Sequence, residues 1–279
     1  MRKLEEKIFK TLMIVATLII VVTLFLIITA VVKRGLPVMS WDMISKIPGG
    51  GFYIGKEGGL LNAIVGSIYI VIGSISLGLF FSIPIVLYIN LYLPEKSKFA
   101  QLIRLSFDVL FGIPSIVFGA FGFTLMVYLG LRSSLLAGII TVTLLIIPIL
   151  IRSIDEVMRR VPSEMKDAAL SLGATRSETI GVILRQVAPG IITAVLLAIG
   201  RGIGDAASVL FTAGYTDRIP TSLTQPVATL PLAIFFQMGS PIAEVQDRAY
   251  AAALILTMIV LMLSIAGRFF SRKFSKNKI

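Results

Sequence analysis

The 279-residue sequence contains no cysteine and no histidine. These two absences exclude disulfide bonds, thiol chemistry and the commonest protein ligand for transition metals. Charged residues are also scarce, at 15% of the chain. The mean hydropathy of +0.95 lies far outside the range of soluble proteins. What the chain has in abundance is long uncharged apolar sequence, so its solvent is expected to be lipid.

Six apolar stretches are long enough to cross a bilayer, whose hydrocarbon core requires about 20 helical residues. In lipid only helices and closed barrels satisfy the backbone polar groups, and these stretches are too long and continuous for barrel strands. The first stretch is longer than the core of a signal peptide and is expected to be retained. The sequence therefore predicts an all-α integral membrane protein with six transmembrane helices. The predicted spans are residues 11–32, 61–93, 109–131, 133–151, about 190–213 and 249–267.

The basic residues are distributed unevenly along the chain. Most of the 26 lysines and arginines lie near the two termini and in the segments 94–106 and 152–189. Because basic loops remain in the cytoplasm, we expect these segments and both termini on the cytoplasmic side of the cell membrane. The net charge of +11 is thus explained by topology and does not indicate nucleic-acid binding.

One polar segment has the pattern of a short amphipathic helix. Pro162-Ser163 is typical of a helix start, and Gly173 is typical of a stop. Between them an apolar stripe with i, i+3, i+4, i+7 spacing is formed by Met165, Ala168, Ala169 and Leu172. Such a helix could dock on a partner protein or lie on the lipid surface, and the pattern alone leaves both open.

A second helix is predicted directly after this segment. Thr175-Arg-Ser-Glu178 has the form of a capping box, and we expect the helix to end at Pro189-Gly190. The next apolar run contains an ionisable pair, Arg201 and Asp205, on one helical face. From a start at Pro189, Arg201 would lie about 18 Å along the span, close to the bilayer middle.

Charge at that depth is costly and usually faces a bundle interior or cavity. The guanidinium of Arg201 offers a planar fork of donors suited to phosphate oxygens. Asp205 could orient Arg201, reduce the local field or accept a hydrogen bond from a protonated anion. The alternative is that the two residues only neutralise each other for insertion.

Two further segments with recognisable patterns lie outside the predicted spans. Residues 227–238 are apolar but too short to span a bilayer, and are expected to form a short outer helix starting after Thr224 or a packed loop, ending at Gly239. Gly50-x-x-x-x-Gly55-Lys56 has most of a phosphate-binding P-loop, but Glu57 stands where Ser or Thr should hold magnesium. We therefore expect no nucleotide site on this chain.

Several motifs carry a resemblance to a known family. Asp167-Ala168-Ala169-Leu170-Ser171-Leu172-Gly173-Ala174 resembles the EAA loop of ABC-importer permeases, which inserts into a cleft of a cytoplasmic ATPase. Gly200-Arg201-Gly202-Ile203-Gly204-Asp205-Ala206-Ala207 is similar to the signature of the phosphate permeases in that family. Weaker similarity at residues 58–66, 113–119 and 228–232 extends the likeness over most of residues 58–270.

The resemblance implies a type I (MetI-like) importer permease from the cell membrane of a prokaryote, which transports phosphate and is not itself an enzyme. It implies three protein partners: a cytoplasmic PstB-like ATPase dimer that binds the ATP, a second PstC-like permease forming a heterodimer, and an extracytoplasmic PstS-like phosphate-binding protein. The sequence itself leaves open whether the second permease is a different chain or a second copy of this one. It assigns ATPase coupling to Met165, Asp167, Ala168, Ala169, Leu172 and Gly173, and the substrate pathway to Arg201 and Asp205. No cofactor or metal is implied.

The resemblance also implies a division of the chain. Residues 1–60 form a first transmembrane helix and outer loop, 61–270 the importer domain with its coupling loop at 152–190, and 271–279 a basic tail. The sequence departs from the family pattern at four places. Asp167 and Asp205 replace glutamates, whereas Arg185 and Ser208 replace prolines. Transport of another oxyanion, such as molybdate or sulfate, and a secondary anion transporter or channel without an ATPase remain the alternative readings.

Overall fold

The computed structural model describes residues 2–49, 58–94 and 96–275. The P-loop-like segment and the last four residues of the basic tail lie outside these ranges. Helices are the dominant element of the described chain, with one isolated antiparallel bridge between Pro48 and Gly58. The ten α-helices among the described residues are α1 (Arg2–Gly35), α2 (Trp41–Ser45), α3 (Leu61–Leu87), α4 (Lys98–Phe111), α5 (Ser115–Tyr128), α6 (Leu135–Met158), α7 (Ser163–Ser171), α8 (Arg176–Ile203), α9 (Leu230–Met238) and α10 (Ala243–Ser275). A 3₁₀ turn follows α1 at Leu36–Val38, and a π-helical turn extends α3 at Tyr88–Tyr92.

Five of these helices are long and apolar enough to cross a membrane, and α4 with α5 makes a sixth span if the two count as one. The axes of α4 and α5 are bent by 100° from each other. The predicted third span at residues 109–131 is therefore wrong as a single helix. The break falls at Gly112–Pro114, because the residue before a proline is disfavoured in helical geometry. Most of the predicted 94–106 loop is instead part of α4.

The predicted boundaries around the fifth span are also wrong. No helix ends at Pro189-Gly190, since α8 runs unbroken from Arg176 to Ile203 with Pro189 inside it. A Cβ on Gly190 would lie 2.3 Å from a methyl of Val157, so this glycine permits close approach of α8 to α6. The span then ends at Ile203 and not near residue 213.

The core is built around α6, whose most apolar window is 67% buried. One cluster of buried residues joins α3, α6 and α8 to the turns after α8, with Val142, Ile146, Leu150, Val187 and Val209 almost fully buried. A second cluster lies at one end of the bundle and joins α2, the start of α3, α9 and α10. Helix α9 begins with Thr229 as its N-cap, five residues later than expected, and ends at Gly239 as expected.

Helix α1 stands apart from this bundle, because none of its most apolar window is buried. It contacts α10 near its C-terminal end, where Arg34 donates to Asp247 at 2.7 and 2.9 Å. The Arg34 guanidinium also lies 4.4 Å from the ring centre of Tyr250. The polar contacts of Arg34 and the close packing of Gly35, where a Cβ would lie 2.6 Å from the Tyr250 carbonyl oxygen, therefore anchor this long apolar helix at one end.

Candidate functional site

Arg201 and Asp205 lie on either side of the end of α8. Arg201 is in the last turn, Gly204 caps the helix, and Asp205 follows in an irregular turn. The expectation that both residues belong to one helix is therefore wrong. The physical reason is local: Oδ2 of Asp205 accepts a hydrogen bond from the backbone N–H of Ser208 at 2.8 Å. This bond satisfies the backbone N–H of Ser208 and closes a turn. Aspartate often has this role where a helix ends and a loop begins.

Packing against neighbouring helices places this turn well inside the bundle. A Cβ on Gly202 would meet Val142 at 3.3 Å and Ile146 at 3.7 Å. These two residues lie about 11 and 17 Å from the start of α6, at 1.5 Å per residue. Asp205 shares a small cavity with Ser67, Ile70 and Val71 of α3. Both sets of contacts lie at intermediate depth along helices that begin at the same end of the bundle.

The two charged side chains have very different surroundings. Asp205 has a 7% exposed side chain, whereas that of Arg201 is 51% exposed on this single chain. A nitrogen of Arg201 approaches Oδ1 of Asp205 only to 4.0 Å, the outer limit of an ion pair. At this distance the guanidinium makes no hydrogen bond with the carboxylate. A half-exposed cation at this depth requires a polar surface or aqueous space beside it in the membrane.

The wall behind the turn is formed by α5. A Cβ on Gly119 would lie 2.6 Å from the carbonyl oxygen of Ala207, so only glycine allows this approach. Phe123 packs against Phe211 with ring centres 6.2 Å apart. By contrast, a Cβ on Gly200 would meet nothing within 4 Å. The face of α8 that carries Gly200 is thus open in this chain.

The short amphipathic helix is present as α7, Ser163–Ser171. It is followed by Gly173 at φ +82°, a left-handed conformation that glycine adopts without strain. The predicted capping box starts α8, with the N–H of Thr175 donating to Glu178 at 2.7 Å and the N–H of Glu178 donating to Thr175 Oγ1 at 3.4 Å. The compact turn fixes α7 relative to the start of α8.

The apolar stripe of α7 is divided between two environments. Leu172 is 89% exposed and Ala168 is also exposed, whereas Met165 and Ala169 are half-buried. Asp167 is exposed beside the stripe. Leu172 and Ala168 are therefore the exposed part of this stripe, and the roles of all six coupling residues remain predictions.

A polar cluster at the same end of the bundle was missed by the sequence reasoning. Arg104 of α4 donates to both carboxylate oxygens of Asp155 on α6, at 2.9 and 3.1 Å. Asn90 of the π-helical turn donates to the same carboxylate at 2.7 Å. A signal was available, because Asp155 falls among Ile151, Ile154 and Met158 on the buried face of α6. Among the described residues, no cluster of three potential metal ligands occurs.

The fold has solved counterparts. The chain is similar to an inward-facing structure of the MetNI methionine ABC transporter, with a TM-score of 0.62, 18% identity and coverage of 77% of this chain and 95% of that chain. It is also similar to an amino acid ABC transporter, with a TM-score of 0.56 and 15% identity, covering 77% of this chain and 93% of that one. These similarities confirm the expected MetI-like permease fold.

Sequence relatives specify the family further. The phosphate transport system permease protein PstA of Pasteurella multocida is 34% identical over 99% of this chain and 97% of its own length. PstA of Yersinia pestis is 38% identical over 76% of this chain and 72% of its own length. PstA 2 of Mycobacterium tuberculosis is 34% identical over 85% and 78%, respectively.

Residues 82–276 match the family described as binding-protein-dependent transport system inner membrane component. This match begins within α3, at residue 82, and includes α7 and the turn that contains Arg201 and Asp205. The apolar helices and this match agree on a membrane-embedded transport subunit. The chain belongs to the inner-membrane permeases of binding-protein-dependent ABC importers, and within them to the PstA family.

Proposed function

We propose that this chain forms one half of the membrane pathway through which an ATP-driven importer moves inorganic phosphate. The observation that carries the proposal is the half-exposed guanidinium of Arg201 at intermediate depth, with its fork only loosely engaged by Asp205. The names of the PstA relatives support phosphate as the substrate. The second half would come from a PstC-like permease packed against the open face that carries Gly200.

The chemistry of Arg201 suits a transient phosphate contact. A guanidinium presents parallel N–H donors that match two phosphate oxygens, and it keeps its charge at any physiological pH. A cation at this depth with no carboxylate beside it would bind the anion too tightly for release. Asp205 reduces the local field from a position 4.0 Å away, while the Ser208 N–H keeps its carboxylate from closing on the fork. The N–H donors of Arg201 thus stay available to bind an anion, and the nearby Asp205 allows that anion to be released.

Coupling to ATP hydrolysis is assigned to α7. In this proposal Leu172 and Ala168 enter an apolar cleft of a PstB-like ATPase dimer, which binds and hydrolyses ATP. Asp167 lies at the margin of that contact, and Met165 and Ala169 support the helix from its half-buried side. Gly173 and the capping box hold α7 rigidly against α8, so that a displacement of α7 is passed to the helix that carries Arg201.

The orientation follows from the basic residues. The bundle end that contains α7, Arg104 and Arg176 would face the cytoplasm of a prokaryotic cell, together with both chain termini. The opposite end, with α2, α9 and the start of α3, would receive phosphate from a PstS-like binding protein. Helix α1 would cross the bilayer with its unburied apolar surface against lipid or the partner permease.

Uptake of labelled phosphate tests the proposal directly. Cells that lack this gene should regain high-affinity, ATP-dependent uptake when the gene is restored together with its partner subunits. Excess molybdate or sulfate should not compete. Uptake that responds to molybdate or sulfate but not to unlabelled phosphate would assign the pathway to another oxyanion. Uptake that persists without the ATPase would indicate a secondary transporter or channel.

A further inference from the structure

The end of α3 nearest to α7 has an unusual backbone and is held from two sides. Residues 88–94, here called the α3 terminus, begin with the π-helical turn Tyr88–Tyr92. Such turns are rare and occur often at functional sites. The roles proposed for Arg201, Asp205 and α7 do not involve this segment.

On the bundle side, the α3 terminus is fixed by Asn90, Arg104 and Asp155, here called the buried clamp. Asn90 donates to Asp155 at 2.7 Å and to the carbonyl oxygen of Val86 at 2.9 Å. Arg104 donates to the carbonyl oxygen of the Asn90 amide at 3.2 Å as well as to Asp155. The Arg104 and Asp155 side chains are only 24% and 11% exposed. The clamp joins α3, α4 and α6 through one satisfied polar network.

On the other side, α7 and the start of α8 each reach the α3 terminus through one cationic side chain. Lys166 donates to the carbonyl oxygen of Leu91 at 3.4 Å, and the Arg176 guanidinium lies 5.8 Å from the ring centre of Tyr92. A cavity of about 790 Å³ separates α7 from the bundle beside these contacts, lined in part by Arg104, Met158 and Asp167. Apolar packing does not fill this space, so Lys166 links α7 to α3 across it, and Arg176 links the start of α8 to the same segment.

The other end of this route lies at the candidate pathway. Ser67, Ile70 and Val71 of α3 line the small cavity beside Asp205. From Leu91 to Ile70 the chain is helical, a length of about 32 Å at 1.5 Å per residue. A helix transmits displacement along its axis only if its end is held, and here the hydrogen bonds of Asn90 and Arg104 to Asp155 hold that end.

We propose that Asn90, Arg104 and Asp155 are positioning residues for coupling, which hold the α3 terminus so that movement of α7 reaches Asp205 through α3. This route acts beside the direct connection from α7 to α8, and it rests on the proposed docking of the ATPase on α7. The clamp residues are distinct from those proposed to contact phosphate or the ATPase. Its removal should therefore separate ATP hydrolysis from transport without preventing assembly.

The test uses the complete complex, reconstituted with its binding protein in lipid. Asp155→Asn and Asn90→Ala each remove part of the clamp, while Asp155→Glu retains the charge. The matched control is Asp108→Asn, which breaks the pair between Asp108 and Arg152. That pair joins the same helices α4 and α6, but it is about half exposed and includes no residue of α3. The readouts are the stimulation of ATPase activity by phosphate-loaded binding protein and the phosphate carried per ATP.

Both readouts should fall by about fivefold or more in Asp155→Asn and Asn90→Ala, the lower range of measured coupling effects. Asp155→Glu should recover part of the loss, and Asp108→Asn should match the wild type. Wild-type stimulation in an assembled Asp155→Asn complex would overturn the proposal. If that variant does not assemble, wild-type stimulation in Asn90→Ala overturns it equally. Failure of the unmodified chain to retain the ATPase would instead contradict the docking on α7.

Discussion

At the scale of single residues, Asp205 is held by a backbone group more closely than by its nearest cation. The Ser208 N–H lies 2.8 Å from Oδ2, whereas Arg201 lies 4.0 Å from Oδ1. A proline at position 208, the residue usual there in the resembled phosphate signature, has no N–H to donate. The two departures at 205 and 208 thus form one structural unit, in which a shorter carboxylate is tied to its turn.

This unit predicts unequal effects for two substitutions of Ser208. Ser208→Pro removes the donor to a buried carboxylate and should destabilise the complex by about 1–3 kcal/mol. Ser208→Ala is the matched control, because it keeps the N–H and removes a buried hydroxyl that has no hydrogen-bond partner. Thermal unfolding of the purified complex should show a clear decrease in Tm for the proline variant alone. Equal Tm values for both variants would argue against the hydrogen bond as the element that fixes Asp205.

Arg201 is expected to act through the shape of its head group as well as its charge. Arg201→Lys keeps the charge but loses the planar fork, so phosphate uptake should fall by about 10- to 100-fold, the equivalent of one hydrogen bond to a charged group. Assembly with the ATPase should be unchanged. The control is Arg185→Lys, an exposed position on the same helix. Uptake at the wild-type rate in Arg201→Lys would show that the fork makes no contact with the anion.

At the scale of elements, α7 is followed by an exposed apolar side chain at its C-terminal end, Leu172. Leu172 is 89% exposed, so its substitution should not disturb folding of this chain. Leu172→Glu would place a charge in the proposed apolar cleft, and desolvating that charge should weaken ATPase binding by at least about tenfold. Copurification of the ATPase in mild detergent measures the effect, with Ser177→Glu on the exposed start of α8 as the control. An Leu172→Glu complex that retains the ATPase and its stimulation would contradict the docking of α7.

The sequence predicted local signals better than long-range packing. Thr175 and Glu178 form the expected capping box, and Gly173 takes the left-handed conformation, because both depend on neighbours within four residues. Pro189 was expected to end a helix, but the buried Val187 and Ala194 on either side stabilise a continuous α8. An internal proline costs about 3 kcal/mol, which tertiary packing can offset.

Distant contacts explain the remaining differences in the candidate site. Arg201 and Asp205 were correctly identified as neighbours. The end of α8 between them, and the hydrogen bond from the Ser208 N–H to Asp205 that follows it, could not be predicted from a helical pattern. The buried clamp depends on α4 lying across the end of α6. That arrangement follows from the 100° bend after α4, which sequence periodicity does not encode.

At the scale of the whole molecule, the two ends of the bundle should lie on opposite sides of the membrane. Because the chain has no cysteine, single cysteines introduced at Ser177 and Ser222 are unique probes. Both positions are exposed, and they lie at opposite ends of the bundle. In intact cells an impermeant thiol reagent should label Ser222→Cys, while Ser177→Cys should react only after the cells are opened. Labelling of Ser177→Cys from outside would reverse the proposed orientation.

Arg201 and Asp205 are expected to serve the anion, and not merely to form a pair that permits insertion. This role is tested most directly in proteoliposomes containing the complete complex, by comparing the wild type with the double variant Arg201→Leu, Asp205→Asn. The Arg201→Leu change removes the guanidinium, while Asp205→Asn removes the negative charge but keeps a side-chain oxygen that accepts from the Ser208 N–H, so this variant should assemble and retain its ATPase. We expect ATP-dependent accumulation of labelled phosphate by the wild type and none by the double variant. Phosphate import by the double variant at the wild-type rate would contradict the account.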